Sequence, residues 1–374
     1  MRRIVLAVGL MLAWFSPAWA DLDAAVAAYQ RGDFETALRQ ARPLAEAGDA
    51  NAQKMLAWMH HEGIGVERDY AVAMRWYRSA AEAGHADAQN SLGTMYDRGR
   101  GVPRDVGQAM AWYAKAAGQG KAEAQYNLGR IYDNERSGAE AAAAAVKWYR
   151  KAAAQGHAEG QRNLGVLYLK GTGVATDPAE ALAWHLMAAA QGDAAAQFNL
   201  GVMHDFAKGV PEDTAEAVKW YRLAAEQGYA EAQYNLGMRY FEGRGIGRDP
   251  AAAVRWLESA ATQGIALAAY NLGLIYADGR GVPAAPAAAI AWYRHAAERG
   301  MVDAQFNLGV LYRDGIAVRA NYVEAFVWFA VATASGDEKA AAERNLVASW
   351  LSSDDRAKAM RLVQEWLAAH PRAE

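Results

Sequence analysis

The sequence predicts an all-α protein, a solenoid of antiparallel helix pairs that repeat every 36 residues. Three observations support this prediction. Eight tryptophans follow one another at steps of 36 residues, from Trp76 to Trp328. Seven glutamines keep the same step from Gln53 to Gln305, with Ala269 in the one missing place. Alanine, the best helix former, supplies much of the 53% hydrophobic content, and only nine prolines occur.

The first twenty residues have the pattern of an export signal. Two arginines follow Met1, and the apolar run from Ile4 to Phe15 is too short to span a bilayer. Ala18 and Ala20 then form an Ala-x-Ala cleavage site. A buried N-terminal helix is the alternative. The pattern predicts a signal peptide over residues 1–20, cleavage after Ala20, and a periplasmic or secreted chain without stable membrane insertion.

Residues 230–265 show the two helices of one repeat. Helix A runs from Ala230 with apolar residues at helical spacing, and a glycine-containing turn follows it. Asp249 and Pro250 are typical of an N-cap and the first residue of helix B, which ends at Gly264. The short connection makes the two helices antiparallel neighbours.

Three columns of the repeat are expected to pack. We expect the leucine of each Asn-Leu-Gly and the tyrosine or histidine three residues after its glycine to lie in the core. We expect the tryptophan of helix B to fill space against the next repeat, because one helix pair cannot bury its apolar face alone. The leucines are Leu128, Leu164, Leu200, Leu236, Leu272 and Leu308, and the aromatic column is Tyr96, Tyr132, Tyr168, His204, Tyr240, Tyr276 and Tyr312.

The repeat resembles a known family. Its consensus is Ala-x-Ala-Gln-Tyr-Asn-Leu-Gly-x-x-Tyr-x-x-Gly-x-Gly-Val, followed by Asp-x-x-x-Ala-x-x-Trp-Tyr-x-x-Ala-Ala-x-x-Gly. This pattern is similar to the Sel-1-like repeat, a relative of the tetratricopeptide repeat. The resemblance covers eight units over residues 50–335 and implies a right-handed α/α superhelical solenoid. The third, fifth and eighth units depart from the pattern in the turn between their helices.

The two ends are expected to be helical caps. Residues 21–49 resemble a degenerate tetratricopeptide-like helix pair, and residues 336–374 form the C-terminal cap. Ser353 is the expected N-cap of a last helix near residues 353–369. Terminal units of a solenoid are usually atypical, because their outer faces meet solvent.

Composition and motifs exclude several chemistries. The chain has no cysteine, so disulfides and thiolate sites are excluded. Without residues 1–20 it carries 37 basic and 42 acidic residues, which gives no electrostatic footprint for nucleic acid. The glycine-rich turns recur in most units and lack the Gly-Lys-Ser/Thr of a phosphate loop. No His-x3-His or Gly-x-Ser-x-Gly occurs, and we expect no metal site, cofactor or catalytic residue.

Binding is expected on the A helices. The resemblance implies that A helices line the concave surface, so positions that vary between units are candidate contacts. The column directly after the repeat glycine is aliphatic in its last five members. This pattern is consistent with an apolar strip in the C-terminal half, and packing against neighbouring A helices is the alternative that explains it somewhat better. The candidate partner-binding residues are Trp58, His61, Arg130, Asp133, Val166, Val202, Asp205, Met238, Phe241, Leu274, Val310 and Arg313.

The sequence favours a non-catalytic scaffold that binds a protein or peptide, in the periplasm or after secretion. A module that binds cell-wall or exopolysaccharide glycan is the second hypothesis, and exposed Trp58 and Phe241 would favour it. A cell-wall hydrolase is the third, and a buried convergent polar cluster would favour that one. The family resemblance implies roles in envelope assembly, polysaccharide export, signalling or host contact without choosing among them.

Overall fold

The computed structural model describes residues 22–316 and 318–370, and within these ranges it is entirely helical, with twenty helices and no strand. Consecutive helices pack as antiparallel pairs, which gives a solenoid of helical hairpins. The all-α prediction is therefore confirmed. The predicted signal peptide and its cleavage site lie outside the described residues.

The helices fall into two compact units, one ending at Thr176 and the other beginning at Asp177. The first unit contains α1 Leu22–Gln30, α2 Phe34–Glu46, α3 Ala50–Glu62, α4 Tyr70–Glu82, α5 Ala86–Arg98, α6 Val106–Gly118, α7 Ala122–Asn134, α8 Ala139–Ala154 and α9 Ala158–Lys170. The second contains α10 Pro178–Ala190, α11 Ala194–Asp205, α12 Thr214–Glu226, α13 Ala230–Glu242, α14 Pro250–Thr262, α15 Ala266–Asp278, α16 Pro286–Ala297, α17 Val302–Asp314, α18 Tyr322–Ala334, α19 Glu338–Ala348 and α20 Ser353–Ala369.

Helix B begins where the Asp-Pro pair predicts. Asp249 caps α14, its carboxylate accepting a hydrogen bond from the backbone amide of Ala252 at 2.9 Å, and Pro250 is the first residue of the helix. The aspartate satisfies an amide that has no partner within the helix, so the sequence itself fixes the start.

The Gly-x-Gly turn has a separate reason for each glycine. Gly243 ends α13 at φ 74°, the left-handed conformation that glycine adopts without strain. Gly245 also has positive φ, and a Cβ atom there would lie 2.3 Å from the carbonyl oxygen of Thr214. The second glycine therefore allows the turn to lie directly against helix B of the preceding repeat.

Two of the irregular turns change their helices. In the third repeat α8 begins at Ala139 and runs for 16 residues instead of the usual 13, because an alanine-rich stretch extends it toward its N-terminus. In the fifth repeat Ala207 occupies the position where six other repeats have the helix-ending glycine, and it adopts φ 51°. Helix α11 is one residue shorter than its counterparts.

The leucine column forms the centre of the core, as predicted. Leu164, Leu200, Leu236, Leu272 and Leu308 are 0% exposed. The residue after each tryptophan is buried as well, a column that the sequence did not single out. Its ring lies against the glycine of Asn-Leu-Gly, so a Cβ at Gly93 would be 2.7 Å from Tyr113, and one at Gly201 would be 2.6 Å from Tyr221. The small residue lets the two helices approach closely.

One expectation about the aromatic columns is wrong, that of a buried tyrosine column. Trp148 and Trp220 are half-buried and pack on clusters formed by the preceding helix B and their own helix A. Trp328 lies 6.1 Å from Trp366 of α20, beyond its own repeat. The tyrosines three residues after the glycine are half-buried too, except Tyr312, which is 8% exposed. Tyr168, for example, accepts a hydrogen bond at 2.9 Å from Arg150, a charged residue on helix B of the preceding repeat. A hydroxyl that binds such a residue remains near the surface.

The last helix is capped one residue earlier than expected. Ser352, not Ser353, accepts the hydrogen bond from the backbone amide of Asp355, and its hydroxyl donates to the Asp355 carboxylate at 2.8 Å. Asp355 takes the place of the usual glutamate in this reciprocal cap. Helices α19 and α20 both pack on α18.

Candidate functional site

The two candidate columns lie side by side on every A helix. Residues three positions apart on an α-helix differ by 300° in direction, so the second column is turned about 60° from the first and the two are neighbours on the helix surface. In the second unit all four members of the first column are half-exposed. In the second column Asp205 is buried, whereas Phe241, Ala277 and Arg313 are half-exposed.

The first column gives the second unit an apolar stripe on four successive A helices. All four side chains are half-buried, packing on the core with one side while the other side stays accessible. The residues of this apolar stripe are Val202, Met238, Leu274 and Val310.

Aromatic rings border the apolar stripe one helical turn earlier. Phe198 lies 5.8 Å from the buried ring of Tyr221, and Phe306 lies 5.6 Å from Phe329. Tyr234 accepts a hydrogen bond from Asn271 at 3.3 Å. The rings are therefore held by the interior on one side.

Asparagines between these rows are tied to the interior. The amide of Asn271 donates to the sulfur of Met238 at 3.3 Å. Asn163 in the first unit donates to the hydroxyl of the buried Tyr149 at 3.1 Å. Asn271 therefore joins its own A helix to Tyr234 and Met238 of the preceding A helix.

Asp205 is a correction, because it is not a surface contact. Its side chain is 0% exposed and accepts hydrogen bonds from the Tyr221 hydroxyl at 3.1 Å and from the Arg239 guanidinium at 2.6 Å. Arg239 itself occupies a position where the neighbouring repeats carry Met203 and Ile275.

The other charged candidates are also engaged. His61 lies 2.7 Å from the Glu62 carboxylate through Nδ1 and 3.2 Å from Arg100 through Nε2. Asp133 accepts from the buried Tyr149 hydroxyl at 3.4 Å. Arg313 is ion-paired with Asp314 and Glu343, and hydrogen bonds from its guanidinium to these carboxylates raise its pKa.

The remaining candidates lie at half-exposed positions. Phe241 packs against the core of the second unit and has the Arg248 guanidinium 6.0 Å from its ring centroid. Val166 is half-buried on α9. Trp58 is 44% exposed, the most open of the twelve candidates.

The first unit has a polar cavity of about 580 Å³ around Arg130. Arg130 is ion-paired with Asp97, and Arg104 donates to both carboxylate oxygens of Glu135 at 2.6 Å. Across this cavity, Glu123 has a lowered pKa because it accepts a hydrogen bond from His157. The charges neutralise one another in pairs, so the cavity favours neither sign of ligand.

The Asp205–Tyr221–Arg239 cluster is buried and convergent, the kind of feature that would favour an enzyme. All three residues are buried, at 2%, 0% and 9% exposure. The Asp205 carboxylate is ion-paired with the Arg239 guanidinium. Burial raises the pKa of Tyr221, so this hydroxyl is not poised to transfer a proton at neutral pH. The cluster joins successive repeats and gives no support to catalysis.

Metal-binding groups and membrane-spanning helices can be assessed for the described residues. Among them, no group of three or more histidine, aspartate or glutamate side chains is arranged to hold a metal ion. None of the helices over residues 22–316 and 318–370 combines the length and apolar character needed to cross a bilayer.

Comparison with known proteins agrees with this architecture. A crystal structure of a protective antigen present in uropathogenic Escherichia coli strains, displaying an SLR fold, is 30% identical and covers 93% of this chain and 84% of its own, with a TM-score of 0.59. A Sel1 repeat protein from Oxalobacter formigenes is 34% identical and covers 81% of this chain and 88% of its own, with a TM-score of 0.62. A search of curated proteins gave no match.

The profile of the Sel1 repeat matches eight consecutive segments in register with the tryptophan and glutamine columns. The segments are residues 50–85, 86–121, 122–157, 158–193, 194–229, 230–265, 266–301 and 302–337. Because these matches span most of the sequence without a gap, the chain belongs to the Sel1 repeat family.

Proposed function

We propose that this protein is a non-catalytic scaffold that binds a protein or peptide through the apolar stripe of its second unit, Val202, Met238, Leu274 and Val310. Sel1 repeat proteins are generally protein-interaction scaffolds. The observation that carries the proposal is the stripe itself, an accessible apolar row at one position of four successive A helices. The family resemblance assigns this position to the concave side of the solenoid.

A peptide fits the stripe better than a polar ligand does. Partners of helical repeats bind along a surface that several repeats share, and apolar side chains supply most of the affinity in such interfaces. The glycan alternative draws on Trp58, whose ring is 44% exposed, but Phe241 is half-buried against the core. Of the two aromatic residues named for the glycan alternative, only Trp58 is therefore solvent-exposed.

The test is a pull-down from envelope extract with in-cell cross-linking, using the full chain as bait. Val202→Glu with Met238→Glu places two charges on the stripe, and we expect this variant to lose the partner while keeping its helicity and melting behaviour. The matched control places the same charges on the outer side of helices B in the same unit, at Leu186 and Leu223, which are 42% and 44% exposed. This control should keep the partner.

Three results would contradict the proposal. Unfolding of the stripe variant would show that the stripe is core. Loss of the partner by both variants would show a general effect of charge. Retention of the protein on peptidoglycan or polysaccharide, unchanged by either variant, would favour the glycan alternative.

The proposed location is the periplasm or the exterior of the cell. It rests on the basic start, the short apolar run and the Ala-x-Ala site of residues 1–20. N-terminal sequencing of the protein recovered from the periplasm or medium should begin at Asp21, and an uncleaved chain in the cytoplasm would contradict it.

A further inference from the structure

A cavity of about 470 Å³ lies near the beginning of the first unit and is lined by residues of α1, α3, α4 and α5. This volume is in the range of small-ligand pockets. The lining is mainly apolar and includes Leu22, Val26, Tyr29, Met55, Trp58 and Tyr77. Sequence reasoning pointed to Trp58 alone, because the cavity depends on how the capping helix α1 lies against the first repeat.

The aromatic wall of the cavity is held in place. The indole Nε1 of Trp58 donates to the hydroxyl of Tyr29 at 3.2 Å, so the polar atom of the indole is satisfied. His61 stacks against Trp58 with ring centroids 6.2 Å apart and an interplanar angle of 15°. The hydrogen bond to Tyr29 and the stacking of His61 fix the Trp58 ring in one orientation. A ligand can therefore pack on this apolar ring with little further loss of side-chain entropy.

A cluster of two lysines and one aspartate lies at the edge of the cavity. Lys54 and Asp87 line it, with the ammonium 3.4 Å from one carboxylate oxygen, and Lys121 lies 2.5 Å from the other oxygen. The hydrogen bond from Lys121 lowers the pKa of Asp87, so this carboxylate is ionised at neutral pH. Two ammonium groups against one carboxylate leave one positive charge beside an apolar interior.

We infer that this cavity binds the C-terminal aromatic residue of a partner polypeptide, with the ring against Trp58 and Tyr29 and the α-carboxylate beside Lys54. Such a residue carries both required features in one place, a flat apolar group and a single negative charge. An internal aromatic residue lacks the carboxylate, and a neutral sugar lacks the charge. The inference does not rest on the apolar stripe of the second unit and would stand if that stripe bound nothing.

The test uses the purified full chain labelled with [methyl-¹³C]methionine, because Met55 lines the cavity. The probes are the peptide Gly-Gly-Ser-Gly-Trp with a free carboxylate, its C-terminal amide, the isomer Gly-Trp-Gly-Gly-Ser, and chitotriose. The Met55 methyl signal is assigned with Met55→Leu. The methyl of Met360, which is 48% exposed in the second unit, is the internal control and should not shift.

We expect saturable shifts of Met55 with the free-acid peptide and about fivefold weaker binding of its amide, the factor for one charge pair at about 4 Å in water. Lys54→Gln should remove this difference between acid and amide. Val26→Trp, a change at a 39% exposed position of α1, should fill the cavity and abolish the shift while the circular dichroism stays unchanged.

Other outcomes would overturn the inference. Equal affinity of acid and amide, or a preference that survives Lys54→Gln, would remove the role of the charge. Binding of the internal-tryptophan isomer as tightly as the free-acid peptide would show that a chain terminus is not required. A shift of Met55 with chitotriose alone would make the cavity a sugar site.

Discussion

The side-chain amide of Gln119 donates a hydrogen bond to the Oε1 atom of Gln89, 2.8 Å away. Gln89 in turn donates to the backbone carbonyl of Ala81 at 3.0 Å. Gln89 of α5 thus joins the end of α4, the preceding helix B, to the end of α6, the helix B of its own repeat. The same pair recurs between Gln155 and Gln125 at 2.8 Å, so the glutamine column is a structural feature of the repeat.

The first repeat lacks half of this arrangement. Gln53 donates to the carbonyl of Ala45, but its buried Oε1 accepts no hydrogen bond from any described residue, because Ala83 occupies the position of Gln119. The backbone at the two positions is similar, with φ −72° and ψ 1° at Ala83 and φ −84° and ψ 4° at Gln119. A glutamine at position 83 therefore has the geometry to reach Gln53.

We predict that Ala83→Gln raises the free energy of unfolding by about 1 kcal/mol, the net value of a hydrogen bond that satisfies a buried acceptor. Urea unfolding followed by circular dichroism would measure it. Arg299→Gln is the matched control, because position 299 is equivalent to position 83 and the equivalent of Gln53 in that repeat is Ala269, which has no side-chain acceptor. A gain from both changes would show that glutamine at this turn stabilises the helix end without the pair.

The start and end of the repeat helices could be predicted from sequence because local chemistry fixes them. The aspartate before helix B and the glycine after helix A each satisfy a backbone requirement within a few residues. The leucine core followed from periodicity. These predictions use only neighbours along the chain, which the sequence displays directly.

The direction of packing could not be predicted in the same way. A 36-residue period is identical when read toward the preceding or the following repeat, so it cannot show on which one Trp148 packs. The burial of Asp205 depends on Tyr221 and Arg239, which both donate hydrogen bonds to its carboxylate. The same position of the next repeat, Phe241, is half-exposed. The sequence does not display these contacts, because Arg239 lies one repeat further along the chain.

The fifth repeat carries backbone strain at Ala207. Its φ of 51° is left-handed, and six of the eight repeats have glycine at this position. We predict that Ala207→Gly raises the free energy of unfolding by about 1 kcal/mol, since alanine in this conformation costs about 1–2 kcal/mol and glycine loses part of that gain through unfolded-state entropy. Urea unfolding would test it.

The reverse change is the control for this prediction. Gly279 ends α15 at φ 65°, and Gly279→Ala should lower the stability, with an added cost because the new Cβ would lie 3.1 Å from the backbone nitrogen of Ala284. If Ala207→Gly destabilised the protein, the turn of the fifth repeat would owe its shape to contacts of Ala207 and not to tolerated strain.

The ion pair of Asp205 and Arg239 predicts strong non-additivity. Arg239→Met alone would leave a carboxylate buried without its cation, and we expect it to cost about 3–5 kcal/mol. The triple change Asp205→Leu, Tyr221→Phe and Arg239→Met removes the whole cluster. Each new residue type occurs at or beside the same repeat position elsewhere, as in Leu169, Phe329 and Met203.

We expect the triple variant to recover most of the stability that the single change loses, because buried ion pairs replaced by apolar side chains are often neutral or stabilising. Equilibrium urea unfolding of the wild type, the single and the triple variant at pH 7 would give the comparison. A triple variant as unstable as Arg239→Met would show that the cluster makes a net favourable contribution of its own.

The buried tyrosines predict loss of stability at high pH. Burial raises the pKa of Tyr77 and of Tyr113 to about 12, against about 10 in an unfolded chain. Between these values the unfolded chain binds fewer protons than the folded one, so the free energy of unfolding falls as pH rises. Each of the two tyrosines should remove about 1 kcal/mol by pH 11, whereas below pH 9 the effect should vanish.

Urea unfolding between pH 8 and 11 would measure this slope. Tyr113→Phe removes one titrating hydroxyl and keeps the ring, and Phe329 shows that a phenyl group fits the same position of the last repeat. The variant should therefore lose less stability than the wild type between pH 9 and 11, even though it also loses the hydrogen bond from Tyr113 to Thr94 at all pH values. An unchanged slope would mean that other groups govern alkaline unfolding.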